Sequence, residues 1–276
     1  FISMNSADNI LQSLGNENYH QTGAFLISGM VAPLFSGISE QGLIFIERAG
    51  WWFHIIGVLA FLNYVPYSKH FHIFLAFPNV FYSKLKPLTY LPNMESVTNE
   101  VKIAMGLIQE SDVADQEVTT FGAKDVRELS WKSLMDAYSC TECGRCTAVC
   151  PANLTGKKLS PRKVVMDTRD RLEQLGKSLK KNDTKNAEDK TLLRDFITEE
   201  EIWACTTCNA CTFECPVNID PVSIIMELRR YQFMEESSAP SPLNAMSTNI
   251  ENNGAPWQYP AADRANWSNE LYLNKQ

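Results

Sequence analysis

Eight cysteines stand in two runs of four, Cys140-x2-Cys143-x2-Cys146-x3-Cys150-Pro151 and Cys205-x2-Cys208-x2-Cys211-x3-Cys215-Pro216, with none left over. The spacing suits an iron–sulfur cubane. Three thiolates at successive steps of three residues wrap one cluster from a single loop. The fourth, three residues further on, points away along the following segment, where proline turns the chain and withholds an N–H. Structural zinc favours paired C-x2-C with a wide gap rather than four cysteines within eleven residues. Disulfides need an oxidising compartment, and spacings this tight give a bridge little to staple.

Both runs match the pattern of bacterial two-cluster ferredoxins, in which the fourth cysteine ligates the other cluster. On that pattern Cys140, Cys143, Cys146 and Cys215 hold one [4Fe–4S] cluster (cluster 1). Cys205, Cys208, Cys211 and Cys150 hold the other (cluster 2). Between the runs lie 54 residues that read as a long helix, a loop and a short helix. Helix starts are signalled at Ser130, at Ser160-Pro161, at Thr198 with Glu201 three residues on, and at Asp220-Pro221. The charge-rich stretch 180–190 reads as a solvated loop. This arrangement resembles the α-helical ferredoxin domain of heterodisulfide reductase and of the anaerobic glycerol-3-phosphate dehydrogenase iron–sulfur subunit. Ala255-Pro256-Trp257-Gln258 stands where that group usually has N-P-W-G, a partial match. The resemblance implies electron relay to a separate subunit bearing a cysteine-rich CCG domain.

The second chemical signal is imidazole. His54 lies within Ala49–Val65, seventeen residues without a formal charge, about 25 Å of helix. Leu43–Ile46 precedes this run and Phe71–Phe77 follows it. One tilted or kinked helix over about 43–77 is expected, with Pro66 removing a backbone bond. Trp51, Trp52, Tyr64 and Tyr67 bracket the run as interfacial aromatics do, which favours a membrane helix over a buried core helix. On one continuous helix His54 and His72 are five whole turns apart, on one face and about 27 Å from each other. Two stacked b haems, one imidazole to each, need that arrangement. His54-x11-Pro66-Tyr-Ser-Lys-x2-His72 resembles the last haem-carrying helix of the respiratory nitrate reductase gamma subunit. The resemblance implies that His54 and His72 are axial ligands of two haem b groups. It also implies that the remaining ligands come from other helices. The opening FISMNSADNI is neither a start nor a signal peptide with a basic n-region, and reads as processed or as continuing upstream.

Composition divides the chain. Residues 1–95 carry a net charge of −1 out of −7, no cysteine and most of the apolar runs, so the mean hydropathy of −0.20 averages two unlike parts. The acidic balance argues against nucleic acid as a partner. Lys69, Lys84 and Lys86 follow the apolar run, which puts that side, and the cysteine region after it, in the cytoplasm. The fold class expected is all-α. Residues 1–92 form a membrane region, 93–129 a linker, 130–235 the α-helical ferredoxin domain and 236–276 an extended, partner-binding tail. No nucleophile with its base, P-loop or G-x-G-x-x-G is present. The chain reads as a wire between a quinone pool in the inner membrane and a cytoplasmic redox partner. The resemblance to membrane proteins of the heterodisulfide-reductase-like group implies electron-transferring flavoprotein as one such partner. A haem-free iron–sulfur subunit, merely tethered to the membrane, is the alternative.

Overall fold

The computed structural model describes residues 1–20, 23, 25–109, 120–181 and 189–269. Among them the structure is helical, with an isolated bridge between Leu193 and Ile197 and no strand. Most of the charge-rich loop 180–190 lies outside the described residues. The chain divides into two compact units, Phe1–Phe71 and His72–Gln276.

The first unit holds α1 (Ile2–Ser13), α2 (Leu26–Val31), a 3-10 turn (Ala32–Phe35) and α3 (Glu40–Tyr64). Its core is small: Ala7 and Leu11 of α1 against Leu43 of α3. Gly50 lets the helices approach, since a Cβ there would stand 3.0 Å from Cβ of Met4. Ser6 Oγ donates to the Ser28 carbonyl at 2.8 Å and ties α1 to α2. Ile44 and Ile46 add to this core, and from Arg48 on most α3 side chains project outward. Phe53 is 82% exposed, and Ile56, Leu59, Phe61 and Leu62 are exposed with it. A lone water-soluble helix does not present such a surface, whereas lipid covers one at no cost. Glu40–Tyr67 is long and apolar enough to cross a membrane.

The single helix expected over 43–77 is instead two. The chain leaves α3 at Tyr64, makes a 3-10 turn over Val65–Tyr67 and becomes extended at Ser68 (φ −121°, ψ 164°). It restarts as α4 (Phe71–Phe81). Pro66 lacks the N–H that would continue the ladder. Ser68 completes the break, its Oγ donating to the Val65 carbonyl at 2.9 Å and accepting from the His70 N–H at 3.3 Å. The five-turn, one-face relation of His54 and His72 therefore does not hold, because they lie on different helices.

In the second unit α4 is two-faced. Ile73, Phe74, Phe77 and Phe81 are exposed, while Asn79 is wholly buried. His72 and Asn79 are seven residues apart, so they share the inner face. The stretch expected as linker contains α5 (Glu95–Ala104), and its last ten residues are built into the domain. Ala123, Val126 and Leu129 are core residues. Gly122, at φ +78°, passes so close to the helix carrying Glu227 that any Cβ would collide with backbone. Arg171, buried, donates through Nε and Nη2 to both carboxylate oxygens of Asp125 at 2.9 and 2.6 Å, and the Leu192 N–H donates to Asp125 Oδ1 at 3.0 Å. Scattered apolar residues without helical or strand period hid this packing from the sequence.

The ferredoxin part comprises α6 (Trp131–Ser139), α7 (Arg145–Ala148), α8 (Pro151–Leu154), α9 (Pro161–Lys180), α10 (Glu199–Ala204), α11 (Ala210–Phe213) and α12 (Pro221–Arg230), which runs on as a π turn to Glu235. All four expected caps form: Ser130, Ser160, Thr198 and Asp220 each accept from the N–H three residues ahead. Thr198 and Glu201 make a reciprocal capping box. The tail is not extended. Ser241–Asn253 is α13, closed by Gly254 at φ +64°, and Ala261–Ser268 is a 3-10 helix. No residue of α13 is buried, and the helical spacing of Leu243, Met246 and Ile250 behind Pro242 was its sequence signal.

Candidate metal centre

The two cysteine loops repeat one another in backbone as well as in sequence. Each starts where a helix ends in an extended cysteine: Cys140 (φ −69°, ψ 122°) after α6, Cys205 (φ −68°, ψ 127°) after α10. Two residues on, the chain turns left-handed, at Glu142 (φ 57°) and Thr207 (φ 54°). It does so again at Gly144 and Asn209, which open α7 and α11. Left-handed Glu and Thr are costly. Here they aim N–H groups inward: Glu142 donates to Cys140 Sγ and Thr207 to Cys205 Sγ, both at 3.4 Å. Nothing in the residue types announces these two positions.

Each loop borders a cavity. The first, about 410 Å³ and open to solvent, is lined by Cys140, Cys143, Cys146, Cys215 and Cys211. The second, about 300 Å³, is lined by Cys150, Cys205, Cys208 and Cys211. Each cavity thus gathers three cysteines of one run and the fourth of the other, with Cys211 on the boundary. Among the described residues no three ligating groups converge as one metal ion requires. A cubane has four irons at separate corners, so its ligands stand wider apart, and a thiol-lined cavity fits it.

Burial pushes the Cys140, Cys146 and Cys205 thiols above their ordinary range, and Cys211 up to about 12. Cys143, nearer solvent, is lowered by the Arg145 backbone N–H. Thiols raised in this way hold their protons more tightly, and a metal that binds them must displace those protons. Cations stand by to offset thiolate charge. Arg145 and Arg162 line the first cavity, and Arg169 lies near Cys140 while bridging Glu142 at 2.8 Å. At the second, Arg229 donates to the carbonyls of Ile202 and Cys205 and stacks 5.0 Å from the Trp203 ring.

Asn79 docks α4 against the wall of the first cavity, at the segment that follows the second cysteine run. Its Nδ2 donates to the Val217 carbonyl at 2.9 Å, and its Oδ1 accepts from Lys132 Nζ at 3.0 Å. Val217 itself lines the first cavity. Ser139 Oγ adds a bond to the Leu75 carbonyl at 3.3 Å. A polar residue inside an apolar run was the one available sequence signal for Asn79. The role of Lys132 had none.

None of the histidines lines either thiol-lined cavity. The His54 ring lies 4.1 Å from the Phe1 ring within the first unit. His70 stands edge-on to Phe61 at 6.3 Å. His72, on α4, is half-buried, seven residues before Asn79.

Residues 139–219 match a family model described as a 4Fe–4S dicluster domain, and residues 103–155 match a second model of the same description. Residues 103–219 therefore carry a 4Fe–4S dicluster domain, and the chain is similar to proteins of the iron–sulfur oxidoreductase and heterodisulfide-reductase-like group. The chain is 33% identical over 273 residues (88% of the chain, 36% of the relative) to a probable iron–sulfur-binding oxidoreductase, FadF, of Bacillus subtilis. It is 30% identical over 262 residues (87% and 34%) to the EtfAB:quinone oxidoreductase of Syntrophomonas wolfei. A probable membrane-anchored ferredoxin of Chromohalobacter salexigens is 30% identical over 58% of the chain and 26% of the relative. A component of the ferredoxin:CoB-CoM heterodisulfide reductase of Methanosarcina acetivorans is 32% identical over 43% of the chain and 41% of the relative. The chain spans about a third of the length of the first two relatives. No solved structure matches it.

Proposed function

We propose that this chain is the membrane-anchored electron-transfer portion of a quinone-linked oxidoreductase. The observation that carries the reading is the pair of cavities, each lined by three cysteines of one run and the fourth of the other. Cys140, Cys143, Cys146 and Cys215 would hold cluster 1; Cys205, Cys208, Cys211 and Cys150 would hold cluster 2. When bound, [4Fe–4S] clusters supply one-electron transfer. The chain's own residues supply the rest. The loops aim N–H groups at sulfur, the arginines offset thiolate charge, and Cys211 borders both cavities and so links them.

The exposed apolar surface of α3 and the anchored ferredoxin among the relatives support a membrane location. Lys69, Lys84 and Lys86 support a cytoplasmic face for the clusters. The EtfAB:quinone oxidoreductase among the relatives supports quinone and electron-transferring flavoprotein as redox partners. The heterodisulfide-reductase-type relatives support a redox partner subunit, and a CCG-domain subunit is the one the ferredoxin-domain resemblance implies. Asn79 fastens the apolar helix α4 to the wall of the first cavity, so cluster 1 is the membrane-side centre and cluster 2 the partner-side one.

His54 and His72 are proposed as axial ligands of two b haems, and the inward face of His72 on α4 supports its part. The break at Ser68 favours the second reading, a haem-free tethered subunit, because it removes the single-helix geometry. Iron and sulfide analysis of the purified chain tests the cluster reading: about eight irons support it, and zinc with little iron would refute it. A dithionite-reduced spectrum tests the haem reading, which an absent b-type α-band would eliminate. His72→Ala is expected to remove one haem and leave the cluster EPR signals.

A further inference from the structure

A third cavity lies on the far side of the cluster 1 wall. It is open to solvent, about 600 Å³, and is lined by Lys84, Lys86 and Lys132 together with Asp136 and Asp220. Residues of one strip of chain face alternate ways. Val217 and Ile219 line the cluster 1 cavity, whereas Asn218 and Asp220 line this one. A single backbone thus separates the two spaces. The cavity begins at Ser83, directly after the apolar helix α4.

We propose that this cavity is a redox site for the head group of a quinone, reached along α4 and served by cluster 1. The proposal rests on the quinone-linked reading of the chain. Three ammonium groups offer hydrogen bonds to carbonyl oxygens. Lys84 Nζ is held 2.6 Å from Asp220, and Lys86 lies over the Tyr90 ring at 4.1 Å. The quinone needs two electrons and two protons to become quinol. Reduced clusters held by the eight cysteines would supply the two electrons, one each, across the Val217–Asp220 backbone. Asp136, 2% exposed, gives one proton from its carboxyl group to a quinone oxygen. The Lys132 ammonium, 2.6 Å from Asp136, gives the second. Both groups regain protons from water in the open cavity, and both clusters are left oxidised. Burial raises the Asp136 carboxyl above its ordinary range against the opposing pull of Lys132, which suits a proton donor.

The test uses the full chain in detergent micelles, with clusters reduced and excess reductant removed. Menadione, and ferricyanide as a proton-independent oxidant, are then mixed in while cluster absorbance is followed. Asp136→Asn is expected to slow menadione reoxidation about a hundredfold. Lys86→Gln, an exposed change, carries the test if Asp136→Asn does not fold. It is expected to raise the menadione concentration needed about tenfold. Ferricyanide rates and cluster EPR spectra are expected to stay at wild-type values in both. Wild-type menadione kinetics in either folded variant would overturn the site while leaving the quinone-linked reading standing. A wild-type chain reoxidised by ferricyanide but not by menadione would overturn both.

Discussion

Asn79 Nδ2 and the Val217 carbonyl oxygen meet at 2.9 Å, joining residues 138 positions apart. One partner sits in an apolar helix, the other on the wall of a thiol-lined cavity. Asn79 is fully buried and also accepts from Lys132, so both halves of its amide are satisfied. With the Ser139–Leu75 bond, this side chain holds the apolar helix to the wall of the first cavity.

Asn79→Ala leaves a buried carbonyl and the Lys132 ammonium short of partners, at a cost of about 1–3 kcal/mol. Denaturant unfolding is expected to show that loss. EPR of the reduced protein is expected to show a changed cluster 1 signal beside an unchanged cluster 2 signal.

The crossed ligand sets make a prediction that a run-by-run assignment does not. Cys215→Ser should alter the same EPR signal as Cys140→Ser, and Cys150→Ser the same signal as Cys205→Ser. If Cys215→Ser instead matched Cys205→Ser, each run would be holding its own cluster.

The Arg171–Asp125 pair anchors the segment before α6 to α9. Arg171→Leu strands the Asp125 carboxylate, and removing one partner of a buried pair costs about 3–5 kcal/mol. Adding Asp125→Leu should recover part of that loss, because the second substitution removes the stranded charge. A double variant less stable than Arg171→Leu would show that Asp125 acts mainly through its bond to the Leu192 N–H.

Asp220 caps α12 and is half-buried. Burial raises its carboxyl, yet the bonds from Lys84 and Ser223 outweigh this and hold it below the ordinary range. The unfolded chain then binds the proton more readily than the folded one. The contribution to stability is present above the unfolded value, about 3.9, and is lost as pH falls through the lower folded value. Lys84→Gln is expected to destabilise the protein at neutral pH, with the gap to wild type narrowing as the medium is acidified. A gap that widens in acid would contradict the assignment.

Sequence rules of short range were sufficient for the cysteine runs, for the four helix caps and for the outward-facing apolar run of α3. Each depends on groups within a few residues, so spacing alone carries the information. The break at Ser68 was half legible: Pro66 announced a kink, but the side-chain bonds that turned it into a new helix start were local details of geometry. The left-handed turns at Glu142 and Thr207 had no compositional signal, whereas the helix in the tail had one, Leu243, Met246 and Ile250 at helical spacing after Pro242. What tertiary structure alone decided is what brings distant groups together: Cys211 between two cavities, Asn79 on Val217, Gly122 under Glu227, and the lysine-lined cavity behind the cluster 1 wall. Those relations depend on which surfaces pack, and packing is set by the whole set of buried contacts rather than by any one stretch of chain.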